Sequence, residues 1–422
     1  VKFLVGEKVL TMGKSAAGSN KEYLTLEDIL EARERIKDIC IKTSLIYSNE
    51  FSESSGNKVY IKPENLQLTG AFKLRGALNK IKKLSQEEKD RGLIASSAGN
   101  HAQGVAFSAN RLGIKATIVM PKTTPLIKVQ ATKGYGVNVV LAGEIYDEAY
   151  EEAKRLEKEN GYSFIHPFND LDIMAGQGTI ALEILEELKD VDAILVPIGG
   201  GGLISGIAVA AKAIKPDIKI IGVESEGANA MKLSLDSGKI VNLQAVDTIA
   251  DGAAVKNPGD IAFDIIKDNV DEVIIVDDFD LVEAVFVLLE KHKLLAEPTG
   301  VLTLAALKKL NFKDKKVVSL ISGGNIDIIT LSTLINRGLL ARGRIFCFSV
   351  KLQDRPGELL KISEVLAHLG ANVIKLDHNQ FKAIDRLKHV LLEITVETNG
   401  HDHIEEITSA LNKMGYNLNK IY

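Results

Sequence analysis

The amino-acid sequence predicts an open α/β protein followed by a smaller ferredoxin-like unit. Three observations carry that expectation. From Thr25 to about Ile321, short β-branched runs alternate with helical periods, the pattern of parallel βαβ units. Several of those runs are followed by loops rich in glycine and other small residues. Around Asn336–Arg344, NRGLLARGR, the pattern breaks and a two-residue alternation takes over.

Residues 1–22 contain no apolar core of signal-peptide length and are read as a flexible leader. Gly13-Lys14-Ser15 lies in it, but Gly6 is two residues too far upstream for a phosphate loop and no strand leads in. The strands expected next are Val59–Ile61, Leu93–Ser96, Ala116–Met120, Val137–Leu141, Ala193–Pro197, Lys219–Glu224, Glu272–Val276 and Lys316–Ile321. Between them, Ile145–Glu159, Thr179–Leu188 and Thr299–Leu310 place apolar residues three and four apart, as amphipathic helices must. The main body is thus expected over residues 23–335, a linker over 336–343 and a second unit over 344–422.

In that second unit Phe346, Phe348, Val350 and Leu352 alternate with Cys347, Ser349 and Lys351, a half-buried strand. Asp354 is expected to cap a helix with Pro356 in its first turn, burying Leu359, Ile362, Leu366 and Leu369 and ending at Gly370. Val373–Leu376, Val390–Thr398, a helix through Ile404, Ile407, Leu411 and Met414, and a strand at Leu418–Ile421 complete a βαββαβ order.

A net charge of −4 gives no blanket attraction to nucleic acid or membrane phosphate, and no stretch reaches the ~18 apolar residues of a membrane span. Cys40 and Cys347 are two lone thiols, which offer neither a disulfide framework nor a metal site and fit a reducing cytoplasm. A small molecule is the expected partner.

Open α/β sheets bind ligands outside the carboxyl ends of their strands. Four loops there stand out. In Thr69-Gly70-Ala71-Phe72-Lys73-Leu74-Arg75-Gly76-Ala77 a lysine sits where a helix begins, and the positive end of the dipole favours its neutral, nucleophilic amine. In Ser96-Ser97-Ala98-Gly99-Asn100-His101 small residues expose amides able to hold a substrate carboxylate, so Ser97, Ala98, Gly99, Asn100 and His101 are candidate substrate contacts. An ordinary N-cap turn reads equally well there, and His101 suits a structural hydrogen bond better than a base. Gly199, Gly200, Gly201 and Gly202, followed by Leu203, form a nest for a phosphate; with Gly206 they match a dinucleotide fingerprint only loosely. Ser322-Gly323-Gly324-Asn325 ends the last strand of the body.

Together the runs GAFKLRGA, SAGNHAQG, GGGGL and SGGN, in that order, resemble the fold-type II pyridoxal-phosphate enzymes, most closely the threonine dehydratases. The resemblance spans about Leu24 to Ile335 and implies a body of two open α/β subdomains, the smaller at about 66–168. It implies pyridoxal 5'-phosphate held covalently by Lys73, packed on Phe72, with Asn100 on the ring hydroxyl and Gly199 to Gly202 with Leu203 around the phosphate. Ser322 would meet the pyridine nitrogen, Gly252 would lie opposite Phe72, and Glu297 in Glu297-Pro298-Thr299-Gly300 would lie near the site. The implied reaction is β-elimination, turning L-threonine into 2-oxobutanoate and ammonia, and L-serine into pyruvate. A hydroxyl at Ser322 stabilises a protonated ring nitrogen less than a carboxylate would, which favours elimination over transamination.

Serine racemases of the same family, the first alternative, carry a second serine where this chain has Ala98. Ala98 cannot donate a proton opposite the lysine, which favours dehydration. Some relatives bind a cation near the position of Glu224, but Ala230 stands where a second acid is required, so no metal is assigned. A nicotinamide-dependent dehydrogenase would use Glu224 to hold a ribose and would leave the Lys73, Asn100 and Ser322 loops unexplained. A non-enzymatic amino-acid sensor is disfavoured because every expected cofactor contact is present. The C-terminal unit, with Asp354-Arg355-Pro356-Gly357-Glu358-Leu359, resembles an ACT domain. Such domains pair side by side and bind amino acids, which implies a homodimer or homotetramer and an effector, isoleucine first and a nucleotide second.

Overall fold

The computed structural model describes residues 23–379 and 389–422; the expected leader, residues 1–22, lies outside the described residues. The strands, in chain order, are β1 (Ile46–Ser48), β2 (Lys58–Pro63), β3 (Leu93–Ser96), β4 (Ala116–Met120), β5 (Asn138–Leu141), β6 (Ser163–Phe164) and β7 (Ala193–Pro197). They continue with β8 (Lys219–Ser225), β9 (Glu272–Val276), β10 (Lys316–Ile321), β11 (Ile345–Gln353), β12 (Asn372–Asn379), β13 (His389–Glu397) and β14 (Leu418–Lys420). The larger sheet has the order β1-β2-β10-β7-β8-β9, parallel except for β1, and the smaller parallel sheet the order β5-β4-β3-β6.

The larger sheet is buried on both faces, which is why its strands read as continuous apolar runs. Ile194 and Val196 of β7 and Val318 and Leu320 of β10 join one core, with helices Leu26–Ile36, Leu171–Glu187 and Gly202–Ile214. Leu195, Val317 and Ile321 face the other core, under Asp278–Val287 and Leu302–Ala306. Helix Leu171–Glu187 starts earlier than expected, because Asp170 accepts from the amides of Asp172 and Ile173 at 2.9 and 3.0 Å and caps it. The helix expected over Thr299–Leu310 is broken into a 3₁₀ turn Pro298–Val301, the helix Leu302–Ala306 and a second 3₁₀ turn Leu307–Lys309. β1 and the two-residue β6 were too short to show a period.

The helix Lys73–Lys83 lies backbone-to-backbone on its neighbours. A Cβ on Gly176 would meet the Arg75 carbonyl and the Gly76 Cα at 2.6 Å, and one on Gly104 would meet Leu74 N at 3.2 Å. Two residues after Lys73, Arg75 is fully buried and bonds Glu64 with Nε and Nη2 (2.7 and 2.8 Å) and Glu183 with Nη1 and Nη2 (2.6 and 2.9 Å). Lys62 closes the cluster on Glu183 at 2.5 Å. Burial opposes these charges, and their mutual attraction with the hydrogen bonds keeps Glu64 ionised below its ordinary range.

The C-terminal residues fold as expected into βαββαβ, a four-stranded antiparallel sheet of order β12-β13-β11-β14 with helices Glu358–His368 and His401–Lys413. Phe346, Phe348, Val350 and Leu352 form a separate core with Ile362, Leu366, Ile407 and Leu411. Asp354 does not cap the first helix: Gly357, at φ 93°, is the N-cap residue, and Pro356 lies in the turn before it. Most of the expected linker 336–343 is helical, because Ile328–Ala341 continues along the body with Leu334 buried and Gly338 against the Phe286 ring. The chain leaves the body only at Arg342–Arg344, through Gly343 at φ 59°. Among the described residues no helix is long and apolar enough to cross a membrane.

Candidate active site

Both parallel sheets reverse their winding direction at one point, and both reversals face the same cleft. In the larger sheet the chain runs outward from β7 to β8 and β9 and returns as β10 on the other side of β7. The loops after those neighbours, Gly199–Gly202 and Ser322–Asn325, therefore diverge side by side, and the Lys73 loop follows β2, next along. In the smaller sheet β3 and β6 are the corresponding neighbours, followed by Ser97–Asn100 and by Ile165–Asn169.

Lys73 opens its helix, with Phe72 as N-cap residue, and its Nζ donates to the Pro167 carbonyl at 2.7 Å while standing 5.3 Å from the Phe72 ring centre. Burial lowers its pKa to about 8, against the opposing pull of Glu297. Desolvation thus does what the helix dipole alone was expected to do. Phe72 N–H donates to the Ser322 carbonyl at 3.0 Å, and Gly324 N–H to the Gly70 carbonyl at 2.8 Å, so the lysine loop and the last loop are zipped together. Ser322 is buried.

Asn100, first residue of helix Asn100–Leu112, donates through Nδ2 to Glu297 Oε1 at 2.6 Å and accepts at Oδ1 from Asn325 Nδ2 at 2.7 Å. Glu297 is raised to about 7, first by burial and then by Asp251, against the Asn100 bond and Lys128. Gly252 N–H donates to Thr299 Oγ1 at 2.9 Å, which ties its loop to Glu297-Pro298-Thr299-Gly300. Across the mouth, Lys128 pairs with Asp251 at 2.9 Å.

At Gly200, Gly201 and Gly202 the glycine loop has no room for a side chain. A Cβ on Gly200 would meet the Phe168 ring at 2.4 Å, and one on Gly202 the Phe168 carbonyl at 2.5 Å. Gly201 holds φ 95° at the N-cap of helix Gly202–Ile214. Ser205 N–H makes the first helical bond, to the Gly201 carbonyl at 3.0 Å, so the amides of Gly202, Leu203 and Ile204 have no intrahelical acceptor. Unpaired amides at a helix N-terminus suit an anion. The segment Pro167–Phe168 touches both Lys73 and this loop, which brings amine and anion site into one cleft.

Ser97, Ala98 and Gly99 form the half-buried turn before Asn100, with Ser97 Oγ accepting from Gly99 N–H at 3.2 Å. His101 is buried: its Nε2 bonds the Ile165 carbonyl at 2.9 Å, and burial, with the nearby Lys73 charge, pushes its pKa down to about 3. Glu224 is not free to hold a ribose, since its carboxylate accepts from Met231 N–H and Lys232 N–H at 3.0 and 2.8 Å. Three contributors escaped sequence reading: the Pro167 carbonyl, Phe168, and His166, whose Nδ1 accepts from Phe168 N–H at 3.2 Å and Asn169 N–H at 2.9 Å; Asn325 was read as part of its loop but given no role. The rule that found the other loops would have found the first, had the two-residue β6 been visible.

The residues present fit pyridoxal phosphate: a buried amine of lowered basicity, an amide donor, and a glycine loop packed against Phe168 whose helix-start amides have no intrahelical acceptor. Comparison with known proteins agrees. The chain is 47% identical over 394 residues to the L-threonine ammonia-lyase of Thermotoga maritima, covering 93% of this chain and 98% of that one. It is also 47% identical over 390 residues to the L-threonine ammonia-lyase of Geobacter sulfurreducens, covering 92% and 97%. Threonine deaminase isoform 2 of Solanum lycopersicum superposes with a TM-score of 0.72 at 38% identity, over 78% of this chain and 94% of that one. Maize serine racemase gives a TM-score of 0.72 at 38% identity, over 76% and 99%. The model of the family described as pyridoxal-phosphate dependent enzyme matches residues 36–323, and the chain belongs to that family.

Proposed function

We propose that the chain is an L-threonine ammonia-lyase that also accepts L-serine. The observation that carries this reading is the buried Lys73 amine, with a pKa of about 8, in the same cleft as the glycine anion site. Pyridoxal phosphate, when bound, supplies an electron sink that acidifies the α-proton of an amino acid. Lys73 would hold it covalently, Gly199 to Gly202 and Leu203 its phosphate, Asn100 its ring hydroxyl and Ser322 its pyridine nitrogen, between Phe72 and Gly252. Ser97, Ala98 and Gly99 with Asn100 are the proposed substrate contacts; His101 supports the turn from behind.

Freed from the cofactor, Lys73 Nζ would be the general base for the substrate's α-proton. A neutral lysine is available near neutral pH only because burial disfavours its ammonium, and the Pro167 carbonyl, 2.7 Å away, accepts its N–H. Ala98 offers no proton to the opposite face. Elimination of the β-hydroxyl is therefore favoured over return of the proton with inversion.

The test is ketoacid release: 2-oxobutanoate from L-threonine and pyruvate from L-serine, each with one ammonia, and D-serine measured beside them. A cofactor-loaded protein that makes neither ketoacid would overturn the proposal, and D-serine as the main product would replace it by racemisation.

Residues 344–422 are proposed as an ACT-like regulatory domain that pairs in a homodimer or homotetramer. The βαββαβ order supports this, and so does the likeness to the Thermotoga maritima relative, which at 394 residues is too long to stop before β11. Isoleucine is the first candidate effector and a nucleotide the second. A cytoplasmic location is consistent with Cys40 and Cys347 both being free.

A further inference from the structure

Asn325 ends the loop Ser322-Gly323-Gly324-Asn325 and is not among the cofactor contacts above. Its Nδ2 donates to the Thr69 carbonyl at 2.8 Å and to Asn100 Oδ1 at 2.7 Å. A backbone carbonyl can only accept, so the Asn325 atom beside Thr69 must be the amide nitrogen. Since that nitrogen donates onward, the Asn100 atom it meets must be oxygen. The Asn100 nitrogen is thereby left on the far side, where it gives one N–H to Glu297 Oε1 at 2.6 Å and keeps one for the cleft.

The two ends of a carboxamide are nearly the same shape, so packing alone would hold Asn100 either way round. What differs is whether the site offers a donor or an acceptor. The relay has been given room for its direction: a Cβ on Gly70, at φ 70°, would meet Asn325 Oδ1 at 2.5 Å, and one on Gly323 would meet Glu297 Oε1 at 2.5 Å and Asn100 Nδ2 at 3.0 Å.

We propose that Asn325, anchored on the Thr69 carbonyl, is a positioning residue that keeps the Asn100 nitrogen toward the cleft, so that the ring oxygen of the cofactor meets a donor. This rests on Asn100 contacting that oxygen. Replacing Asn325 by aspartate keeps the shape but leaves only acceptors, so Asn100 turns over to donate to the new carboxylate and presents its oxygen to the cleft. Adding Glu297→Gln supplies a donor to the turned Asn100 oxygen and restores that end of the relay, with only the Thr69 carbonyl left without its donor.

The experiment compares wild type, Asn325→Asp, Asn325→Asp with Glu297→Gln, and Asn100→Ala. It reads the thermal midpoint of the apoenzyme, the dissociation constant of pyridoxal 5'-phosphate, and the visible absorption of the bound cofactor across pH. Asn325→Asp is expected to lower the midpoint, weaken cofactor binding by about tenfold and shift the absorption. In the double variant the midpoint should return toward wild type while affinity and absorption stay as in the single variant. If affinity and absorption recover together with the midpoint, or if Asn325→Asp matches wild type, Asn325 does not orient Asn100. Unchanged affinity and absorption in Asn100→Ala would instead remove the reading of Asn100 itself. Should Asn325→Asp fail to fold, Asn100→Asp, which retains the Asn325 bond and offers only oxygen, reads the same point: a similar loss of affinity supports the proposal and wild-type affinity overturns it.

Discussion

Lys73 and Glu297 illustrate how burial turns ordinary side chains into functional ones. Lys73→Ala is expected to lower ketoacid formation by at least about 10³-fold, because it removes the general base and the covalent anchor together. In the wild-type apoenzyme, uptake of pyridoxal phosphate needs the neutral amine, so its rate should climb as pH passes about 8; a rate that is flat from pH 7 to 9 would contradict the lowered pKa. Glu297 works in the opposite sense. Its folded pKa of about 7 lies above the ordinary 4.5, so between those values the folded chain holds a proton that the unfolded chain has lost. Stability from this group is present at low pH and falls as pH rises from about 4.5 to 7. Urea denaturation of the apoenzyme should show wild type losing on the order of 2–3 kcal/mol relative to Glu297→Gln across that window. Arg75 was legible only as part of a motif; in the fold it is the sole guanidinium between Glu64 and Glu183 among the described contacts. Arg75→Met strands Glu64 without its cation and is expected to destabilise by about 3–5 kcal/mol, measured by the same denaturation.

The elements legible in the sequence were those with a clear period. β3, β4, β7, β9 and β10 begin and end where expected, since short apolar runs, buried on both faces in all but the edge strand β9, leave little choice of state. Helix Leu171–Glu187 was half legible. Its amino-terminal half carries Gly176 and Gly178, poor helix formers in isolation, and the tertiary contacts they allow explain their presence. Gly206 on the neighbouring helix is the third member of that packing: a Cβ there would meet the Met174 carbonyl at 2.1 Å and Gly178 N at 2.7 Å. Both obstacles are backbone and cannot rotate away. Gly206→Ala should therefore push two helices apart and lower stability by about 1–3 kcal/mol, with a matching drop in thermal midpoint. An unchanged midpoint would mean that the helices slide past one another freely.

At the scale of the molecule, the body and the C-terminal unit meet at a short joint. Arg342 and Arg344 leave the body there and pair with Glu283 and Glu290 on the body, while Thr398 Oγ1 donates to the Gly343 carbonyl at 2.6 Å. Since Ile328–Ala341 packs on the body, a truncation at 336 would strip part of it, whereas one after Arg342 keeps that helix and leaves the body's cores whole. The shorter protein is expected to stay folded and to keep its ketoacid formation, because separately patterned cores joined by a polar turn fold separately. It is also expected to lose any response to isoleucine or a nucleotide. Titration of each effector against intact and truncated enzyme checks this, and an unaltered response would place the effector site in the body.

By itself the sequence determined the α/β class, the βαββαβ order of the second unit and the loops that carry chemistry, because periodicity, glycine placement and strand-end position are local properties of a chain. Only the tertiary structure decided which loops share a cleft, since that depends on strand order: β10 returning beside β7, and β6 beside β3, bring together residues far apart in the chain. It alone also decided the state of the side chains there. Whether Lys73 is neutral, whether Glu297 is protonated and which way Asn100 faces follow from burial and from partners far away in the chain, and no local pattern encodes a dielectric or the direction of a hydrogen bond.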